Sequence, residues 1–568
     1  MPEAGSKALQ RRSRLNGRPV KTSVLIIGGG INGCGLFRDL CEQGVDVLLV
    51  ERGDFCSGAS AAPSRLMHGG IKYLETGEFR LVAQSARERN LLLTNAPHYV
   101  KPLETVLPVY SWFGGILPSI KRFFRLKAKL TDRGAIITRI GLILYDLFGR
   151  YFRTMPNHRM LSRRKALALM PHLNPEIRAI GIYYEARITQ AERLGLELVL
   201  DGTAANAASQ AVNHAEIALK DGGLLLIDRL SGEEVPLTAD IVVNAGGAWI
   251  DRINASLGIV SRHMGGTKGS HLIVNNPPLH DALGGRMVYF GSRDGRVNLL
   301  YPFMGNVLIG STDIPAPDPD SARCSDAEID YMAGVISEAF PAMSVTRDQI
   351  AMTYCGVRPL PRSDGLDPGE VSRDHSIAQD RLPGLGLTVL SLIGGKWTTF
   401  RGFAEEAADR VLATLGKPRR LSTAQLAIGG GRNFPKDAAS LDAEVTRLAA
   451  RFSADPGTVR SLLERYGTRA SVLLLDCKGE LTPLESLPTF FREEIIWICR
   501  TEEVGTLDDI LFRRTDIALS GQLNQTVLDE IAGIAGETLG WCESRIGEEC
   551  QTSRTTAARN HIALGIPS

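Results

Sequence analysis

A short apolar run that ends in a cluster of glycines limits this chain more than any other stretch of it. Val24, Leu25, Ile26 and Ile27 lead directly into Gly28-Gly29-Gly30-Ile31-Asn32-Gly33-Cys34-Gly35. A β-branched run of this kind makes a buried parallel strand, and residues 28, 30 and 33 complete a GxGxxG pattern. In such a turn Gly28 permits the tight reversal, Gly30 lets backbone approach a pyrophosphate, and Gly33 lets helix pack on strand. A helix over Leu36–Gln43 follows and closes at Gly44; a second strand, Val45–Val50, ends in Glu51. An acid there can accept hydrogen bonds from both hydroxyls of an adenosine ribose. Strand, turn, helix, strand and acid in this order predict a Rossmann-type unit holding a dinucleotide. The turn by itself does not separate FAD from NAD.

Composition removes several other classes. The 568 residues exceed one core and suggest roughly three or four folding units. A net charge of +2 gives no whole-chain attraction to nucleic acid. The nine cysteines are odd in number and lack CxxC spacing, which argues against a disulfide framework and a zinc site and for a reducing, cytoplasmic setting. Cys355 reads as a small buried filler. Residues 1–22 form a basic tail with Lys7, Arg11, Arg12, Arg14, Arg18 and Lys21, and no apolar segment of a secretory signal follows. No run approaches the ~18 apolar residues of a membrane-crossing helix.

The residues after Glu51 are more specific. The stretch Ser64-Arg65-Leu66-Met67-His68-Gly69-Gly70-Ile71-Lys72-Tyr73-Leu74-Glu75 resembles the S-K/R-L-x-H-G-G-x-R-Y-L-E signature of FAD-dependent glycerol-3-phosphate dehydrogenases. The resemblance continues at Ala96-Pro97-His98, Tyr145-Asp146, Lys268-Gly269-Ser270-His271, Gly310-Ser311-Thr312-Asp313, Gly356-Val357-Arg358-Pro359-Leu360 and Gly394-Gly395-Lys396-Trp397-Thr398-Thr399. It ends near Asp508–Thr515 and so spans nearly the whole chain. It implies non-covalent FAD, oxidation of sn-glycerol 3-phosphate to dihydroxyacetone phosphate by hydride transfer to the flavin, and electrons passed to a quinone. It also implies cofactor contacts from Ser64, Arg65, His68, Gly69, Gly395, Lys396 and Thr398, beside Gly28, Gly30, Gly33 and Glu51. Two departures bear on substrate: Lys72 stands where the family usually has Arg, and the family's D-D-A-R stretch reads Thr189-Gln190-Ala191-Glu192-Arg193. A longer polyol phosphate as substrate, an oxygen-using oxidase and a flavin-containing interaction protein remain alternative readings.

Oxidation of a secondary carbinol needs a base for the hydroxyl proton and cations for an anionic tail; the flavin supplies the electron chemistry. His271 is the first choice of base. A glycine-containing bend at Lys268–Ser270 delivers it onto a strand, and an ordinary imidazole pKa of ~6.5 suits the task. Arg358, set between Val357 and Pro359, offers a planar fork for phosphate. Lys396 ends an apolar strand, Leu387–Ile393, just before a helix that runs from Thr398–Thr399 to Leu415. Lys72 and Tyr73 are further substrate contacts.

The expected fold is α/β. A discontinuous Rossmann-type FAD-binding domain takes residues 23–100, 190–260 and 385–416. A mixed β-sheet substrate domain takes 101–189 and 261–384, and an α-helical C-terminal domain takes 417–568. Gly295–Asp313 reads as a hairpin turning at Met304-Gly305-Asn306. Leu117–Leu130, with Lys121, Arg122, Arg125, Lys127 and Lys129 among apolar residues, reads as a basic amphipathic helix. With the quinone it points to peripheral contact with the inner face of the cytoplasmic membrane. A homodimer is left open.

Overall fold

The computed structural model describes residues 18–74, 77–115, 134–150, 154–362 and 374–565. The stretch Leu117–Leu130 and the Lys72 side chain lie outside what is described. Two sheets organise the chain. Numbered along the sequence, the first holds β1 (Val20–Ile27), β2 (Val47–Val50), β7 (Gln210–Val212), β8 (Ala215–Lys220), β9 (Gly223–Asp228), β10 (Glu234–Asn244), β17 (Ser376–Arg381) and β18 (Thr388–Ile393). The second holds β3 (Leu66–Met67), β4 (Val100–Val109), β5 (Arg159–Ser162), β6 (Ala179–Ile188), β11 (Thr267–Val274), β12 (Met287–Gly291), β13 (Val297–Phe303), β14 (Asn306–Gly310), β15 (Ile314–Pro315) and β16 (Ile350–Arg358).

In the first sheet β18, β10, β1, β2 and β7 run parallel in that order. A parallel sheet must be covered on both faces, which explains why Val24, Leu25 and Ile26 are all fully buried. The helices Ile31–Glu42, Ala191–Ala205 and Phe400–Thr414 bury one face. The first of these starts five residues earlier than its apolar pattern suggested, so Gly33 and Gly35 lie inside it. Both positions demand glycine for packing. A Cβ on Gly33 would stand 1.9 Å from the Gly28 carbonyl oxygen, and one on Gly35 would stand 2.8 Å from the Phe400 ring.

The second sheet is mixed, mostly antiparallel, with β12 and β4 the parallel pair. β13 and β14 form the expected hairpin, turning at Met304-Gly305. β11 lies between β14 and β16, antiparallel to both. Two strands cross the divisions read from the sequence. β3 joins the second sheet through β6, and β17 joins the first through β18. β17 does so because only a short turn separates it from β18, and such neighbours pair as a hairpin.

The C-terminal stretch is helical, with long helices at Ala438–Phe452, Pro456–Tyr466, Gln525–Leu539 and Glu543–Arg559. It shares one hydrophobic core with the second sheet: Leu448, Leu463 and Ile531 pack with Tyr301, Phe303, Leu308 and Tyr354. Buried ion pairs fasten it to the first sheet as well. Arg193 makes a two-pronged contact with Glu502, both bonds at 2.8 Å, and Arg514 does the same with Asp54. Burial alone would raise the Asp54 carboxyl, but the Arg514 and Arg513 guanidiniums hold it below its usual range. No helix among the described residues is long and apolar enough to cross a membrane.

Removing one member of a buried ion pair leaves an uncompensated charge, which typically costs about 3–5 kcal/mol. Glu502→Ala should therefore lower the midpoint of denaturant-induced unfolding clearly below that of the parent. An unchanged midpoint would show that the Arg193 contact does not hold the C-terminal helices in place.

Candidate active site

A cavity of about 1070 Å³ opens between the two sheets. Its walls come from the glycine turn after β1, the loop 57–64, the turn after β10, strand β16, and the loop after β18. That volume is at the upper end of the ~300–1,000 Å³ range of cofactor and ligand sites. The glycine turn is built for close approach. Gly28 has φ +110°, and a Cβ there would lie 2.7 Å from the Ala245 carbonyl oxygen. Helix Ile31–Glu42 begins at Gly30, which has no side chain to cap it, and has no acid in its first turn; the Ile31 N–H donates to the Ser60 hydroxyl at 2.9 Å, and a helix start without an acid favours an anion. Glu51 takes the Gly29 and Gly53 N–H groups, one on each oxygen, at 2.6 and 2.8 Å. Burial raises its carboxyl pKa. A glycine turn leading into an acid-free helix start, for pyrophosphate, and an oriented acid on the same wall fit FAD.

At the far wall, strand alternation sorts the side chains. Thr267, Gly269 and His271 share one face of β11, while Lys268 and Ser270 share the other. Lys268 and Ser270 both bond Glu328, at 2.6 and 2.9 Å. The stretch expected to bend is regular strand, and its lysine faces away from His271. Arg358 on β16 reaches across the glycine between them: a Cβ on Gly269 would stand 2.1 Å from an Arg358 nitrogen. The guanidinium thus occupies the place of a residue-269 side chain, two positions from His271 on its own face. Arg358 also donates to Asp313 at 3.0 Å and to the Thr312 carbonyl at 2.9 Å.

His271 is enclosed. Its ring stacks on Tyr354, with centroids 4.9 Å apart and planes 18° from parallel. Opposite it on β14 sits Gly310, where a Cβ would meet the imidazole at 2.3 Å. Nε2 bonds the Ser64 hydroxyl at 2.8 Å, and Nδ1 is buried with no hydrogen-bond partner among the described residues. Burial, with Arg358 and Arg65 adding to it, pushes this imidazole down to about 3. The ordinary value expected from sequence is therefore corrected: an enclosed, cation-flanked setting keeps the resting imidazole neutral, the form that can accept a proton.

Ser64, Arg65, His68 and Gly69 take distinct places. Arg65 has φ 50° and is buried, its guanidinium bonded to both oxygens of Glu192. The His68 N–H donates to the Thr398 hydroxyl at 3.2 Å. The Gly69 N–H donates to Tyr145 Oη and to Glu185 Oε2, at 3.0 and 2.9 Å. Gly395 lines the cavity with φ +95°, and Lys396 lines it too, with Nζ 3.8 Å from the centre of the Tyr73 ring. Sequence reasoning missed the roles of Tyr354, Asp313, Gly310 and Glu192. The Gly310–Asp313 motif was the available signal for two of them; nothing local marks the others.

Residues 23–409 match the family described as FAD dependent oxidoreductase, and residues 421–546 match the C-terminal domain of alpha-glycerophosphate oxidase. The chain is similar to a glycerol-3-phosphate dehydrogenase of Synechocystis sp., at 34% identity over 95% of this chain and 97% of the relative. It is similar to an aerobic glycerol-3-phosphate dehydrogenase of Staphylococcus aureus, at 30% identity over 87% of this chain and 86% of the relative. Among solved structures it is similar to the glycerol-3-phosphate dehydrogenase from Bacillus halodurans complexed with FAD. The TM-score is 0.72 and the identity 24%, covering 100% of both chains, which shows a shared fold.

The shifted imidazole has a direct consequence. Its folded pKa lies below the unfolded value of ~6.5, so the unfolded chain binds this proton first as pH falls. The contribution of His271 to stability accordingly declines from about pH 6.5 downward toward pH 3. In histidine-labelled protein, the resonance missing from His271→Asn should not titrate between about pH 5 and 8. A midpoint near 6.5 for that resonance would contradict the enclosed setting.

Proposed function

The chain belongs to the family of FAD-dependent glycerol-3-phosphate dehydrogenases and oxidases, and on that premise we propose that it oxidises sn-glycerol 3-phosphate to dihydroxyacetone phosphate and delivers the electrons to a membrane quinone. The observation that carries this reading is the Arg358 guanidinium lying over Gly269, beside His271 on one strand face. A base and a planar cation side by side suit a hydroxyl flanked by a phosphate.

Bound FAD supplies the two-electron acceptor for the carbinol hydride. The remaining work falls to side chains. Neutral His271 is the terminal acceptor of the hydroxyl proton. Arg358, held in orientation by Asp313, offers its fork to the phosphate. A dianion needs more than one donor, and Lys396, on the loop after β18, supplies the second cation. Tyr73 packs against that ammonium and fixes its position. Gly28, Gly30 and Glu51 would hold the dinucleotide, and Ser64, Arg65 and His68 line the same cavity.

Delivery to a quinone requires reach to a bilayer, and the helix Ala135–Phe148 supports it. Ile136, Ile140, Ile143 and Leu147 form one stripe of that helix, each about half exposed, with Trp112 and Phe113 exposed as well. Arg139 and Arg150 are exposed near the stripe, so apolar side chains and cations face solvent together. That combination suits an anionic bilayer surface. The opposite side of the same helix buries Tyr145 against Gly69.

Losing a bidentate, partly buried contact to charge typically costs about 2–5 kcal/mol, or roughly 30-fold to several-thousand-fold in kcat/KM. Arg358→Lys should lower kcat/KM for glycerol 3-phosphate by that range and leave any turnover of free glycerol nearly unchanged. Equal losses for both substrates would remove Arg358 from the phosphate. The surface is tested with anionic vesicles containing a quinone. Ile140→Glu with Ile143→Glu should abolish sedimentation and quinone reduction while keeping FAD and reduction of a soluble dye. Unchanged sedimentation rejects the surface. Faster reoxidation of the parent by oxygen than by quinone would replace the dehydrogenase reading with the oxidase.

A further inference from the structure

The imidazole proposed as base has no open nitrogen. His271 is 2% exposed, Nδ1 is sealed from solvent without a hydrogen-bond partner among the described residues, and Nε2 is covered by the Ser64 hydroxyl at 2.8 Å. One ring face is stacked on Tyr354, and Gly310 closes on the ring edge. Ser64, by contrast, is half-buried and stands on the cavity wall. His271 borders the same cavity, but its Nε2 is taken by the Ser64 oxygen, so a hydroxyl held there reaches that nitrogen through Ser64.

Ser64 is also held in place. Tyr301 Oη donates to the Ser64 carbonyl at 3.1 Å, and Tyr354 Oη donates to the Pro63 carbonyl at 3.1 Å. The next residue, Arg65, is anchored by both of its terminal nitrogens to Glu192. These three contacts come from β13, β16 and the helix Ala191–Ala205. They leave the backbone of residue 64 no room to carry its hydroxyl away from the imidazole. Tyr354 acts twice, because the ring that stacks on His271 belongs to the phenol that fixes Pro63.

From this geometry, and resting on the reading of His271 as the base, we infer that Ser64 is a catalytic residue that relays the substrate's hydroxyl proton to His271 Nε2. As the carbinol O–H bond breaks, its proton passes to Ser64 Oγ, and the proton already on Oγ passes to Nε2. Bound flavin would supply the two-electron acceptor for the hydride of the same carbinol carbon, so that a carbonyl and a protonated His271 result and Ser64 ends as a hydroxyl again. In the tautomer that carries its proton on Nδ1, Nε2 accepts from the Ser64 hydroxyl, whose lone pairs are then open to an incoming O–H. His271, whose Nε2 is taken by Ser64, is thereby joined to the substrate through one intervening hydroxyl.

The test uses the FAD-loaded full chain under anaerobic conditions, with glycerol 3-phosphate and rapid mixing. Ser64→Ala should lower the rate constant of flavin reduction at saturating substrate by about 10- to 100-fold, the size expected when the partner of a functional imidazole is removed. KM should stay close to the parent's, and Ser64→Thr, which keeps the hydroxyl, should restore most of the rate. In mixed H₂O and D₂O the parent should show a curved dependence on deuterium content, from two protons moving together, and Ser64→Ala a linear one. Independently of turnover, the ¹⁵N resonance of His271 Nε2 in the oxidised protein should shift in Ser64→Ala and return in Ser64→Thr. A parental rate in Ser64→Ala, or a loss in Ser64→Thr equal to that in Ser64→Ala, overturns the relay. So does a linear deuterium dependence in the parent, a measurement that stands even if Ser64→Ala fails to hold FAD. His271→Asn separates the two ideas. If it is slow while Ser64→Ala is fast, the base stands and only the relay falls; if it reduces flavin at the parental rate, both fall.

Discussion

The buried pair between Arg65 and Glu192 is the contact on which the rest of the site depends. Arg65 sits at the edge of the second sheet, and Glu192 lies in the first turn of a helix that covers the first sheet. An acid is well placed there, since the helix N-terminus favours negative charge. Burial works against the charge on Arg65, and the Glu192 carboxylate more than offsets it, so the guanidinium stays ionised. Around this pair the chain turns through Pro63, Ser64 and a left-handed Arg65 before entering β3. A charge anchored between two layers fixes both their spacing and the path of the strand that joins them.

That anchor explains why one cavity can serve two ends of a reaction. The first sheet presents a glycine turn, a helix start without an acid and an oriented acid beyond it. The second presents Arg358 and, behind Ser64, His271. Between them run the loop 57–64 and the loop after β18, tied together where the Trp397 indole donates to the Ser60 carbonyl at 3.0 Å. The C-terminal stretch also reaches the cavity, with Phe512, Arg513, Thr556 and Arg559 on its wall. Its helices complete the core behind Tyr301 and Tyr354, and those two tyrosines hold the Pro63–Ser64 backbone. Packing far from the cavity thus sets the position of a hydroxyl inside it.

The sequence was most legible where the determining residues are neighbours. The turn after β1 announces itself because three glycines within six positions each meet a separate steric demand. The β13–β14 hairpin follows from alternation broken at Met304-Gly305, and the C-terminal helices from apolar spacing along Ala443–Phe452, Val459–Tyr466 and Val527–Leu539. Glu192 was legible only as a departure from a family motif, because its partner Arg65 is 127 positions away. Ser64 and His271 are 207 positions apart, and nothing near either one indicates the other. The imidazole's lowered pKa was equally hidden, since it arises from burial and from cations on other strands. Even the strand around His271 was misjudged as a bend: glycine at 269 marks room for the Arg358 guanidinium, and a glycine that makes space looks the same in sequence as one that makes a turn.

The central claim is that this cavity oxidises a hydroxyl next to a phosphate through its flavin. The most direct measurement adds sn-glycerol 3-phosphate, free glycerol or a longer polyol phosphate to the purified yellow protein in the absence of oxygen and follows the visible flavin band. The account predicts prompt bleaching by glycerol 3-phosphate, with dihydroxyacetone phosphate formed in equal amount, and no comparable bleaching by glycerol. A flavin that stays oxidised with glycerol 3-phosphate, or that bleaches equally with free glycerol, would contradict it.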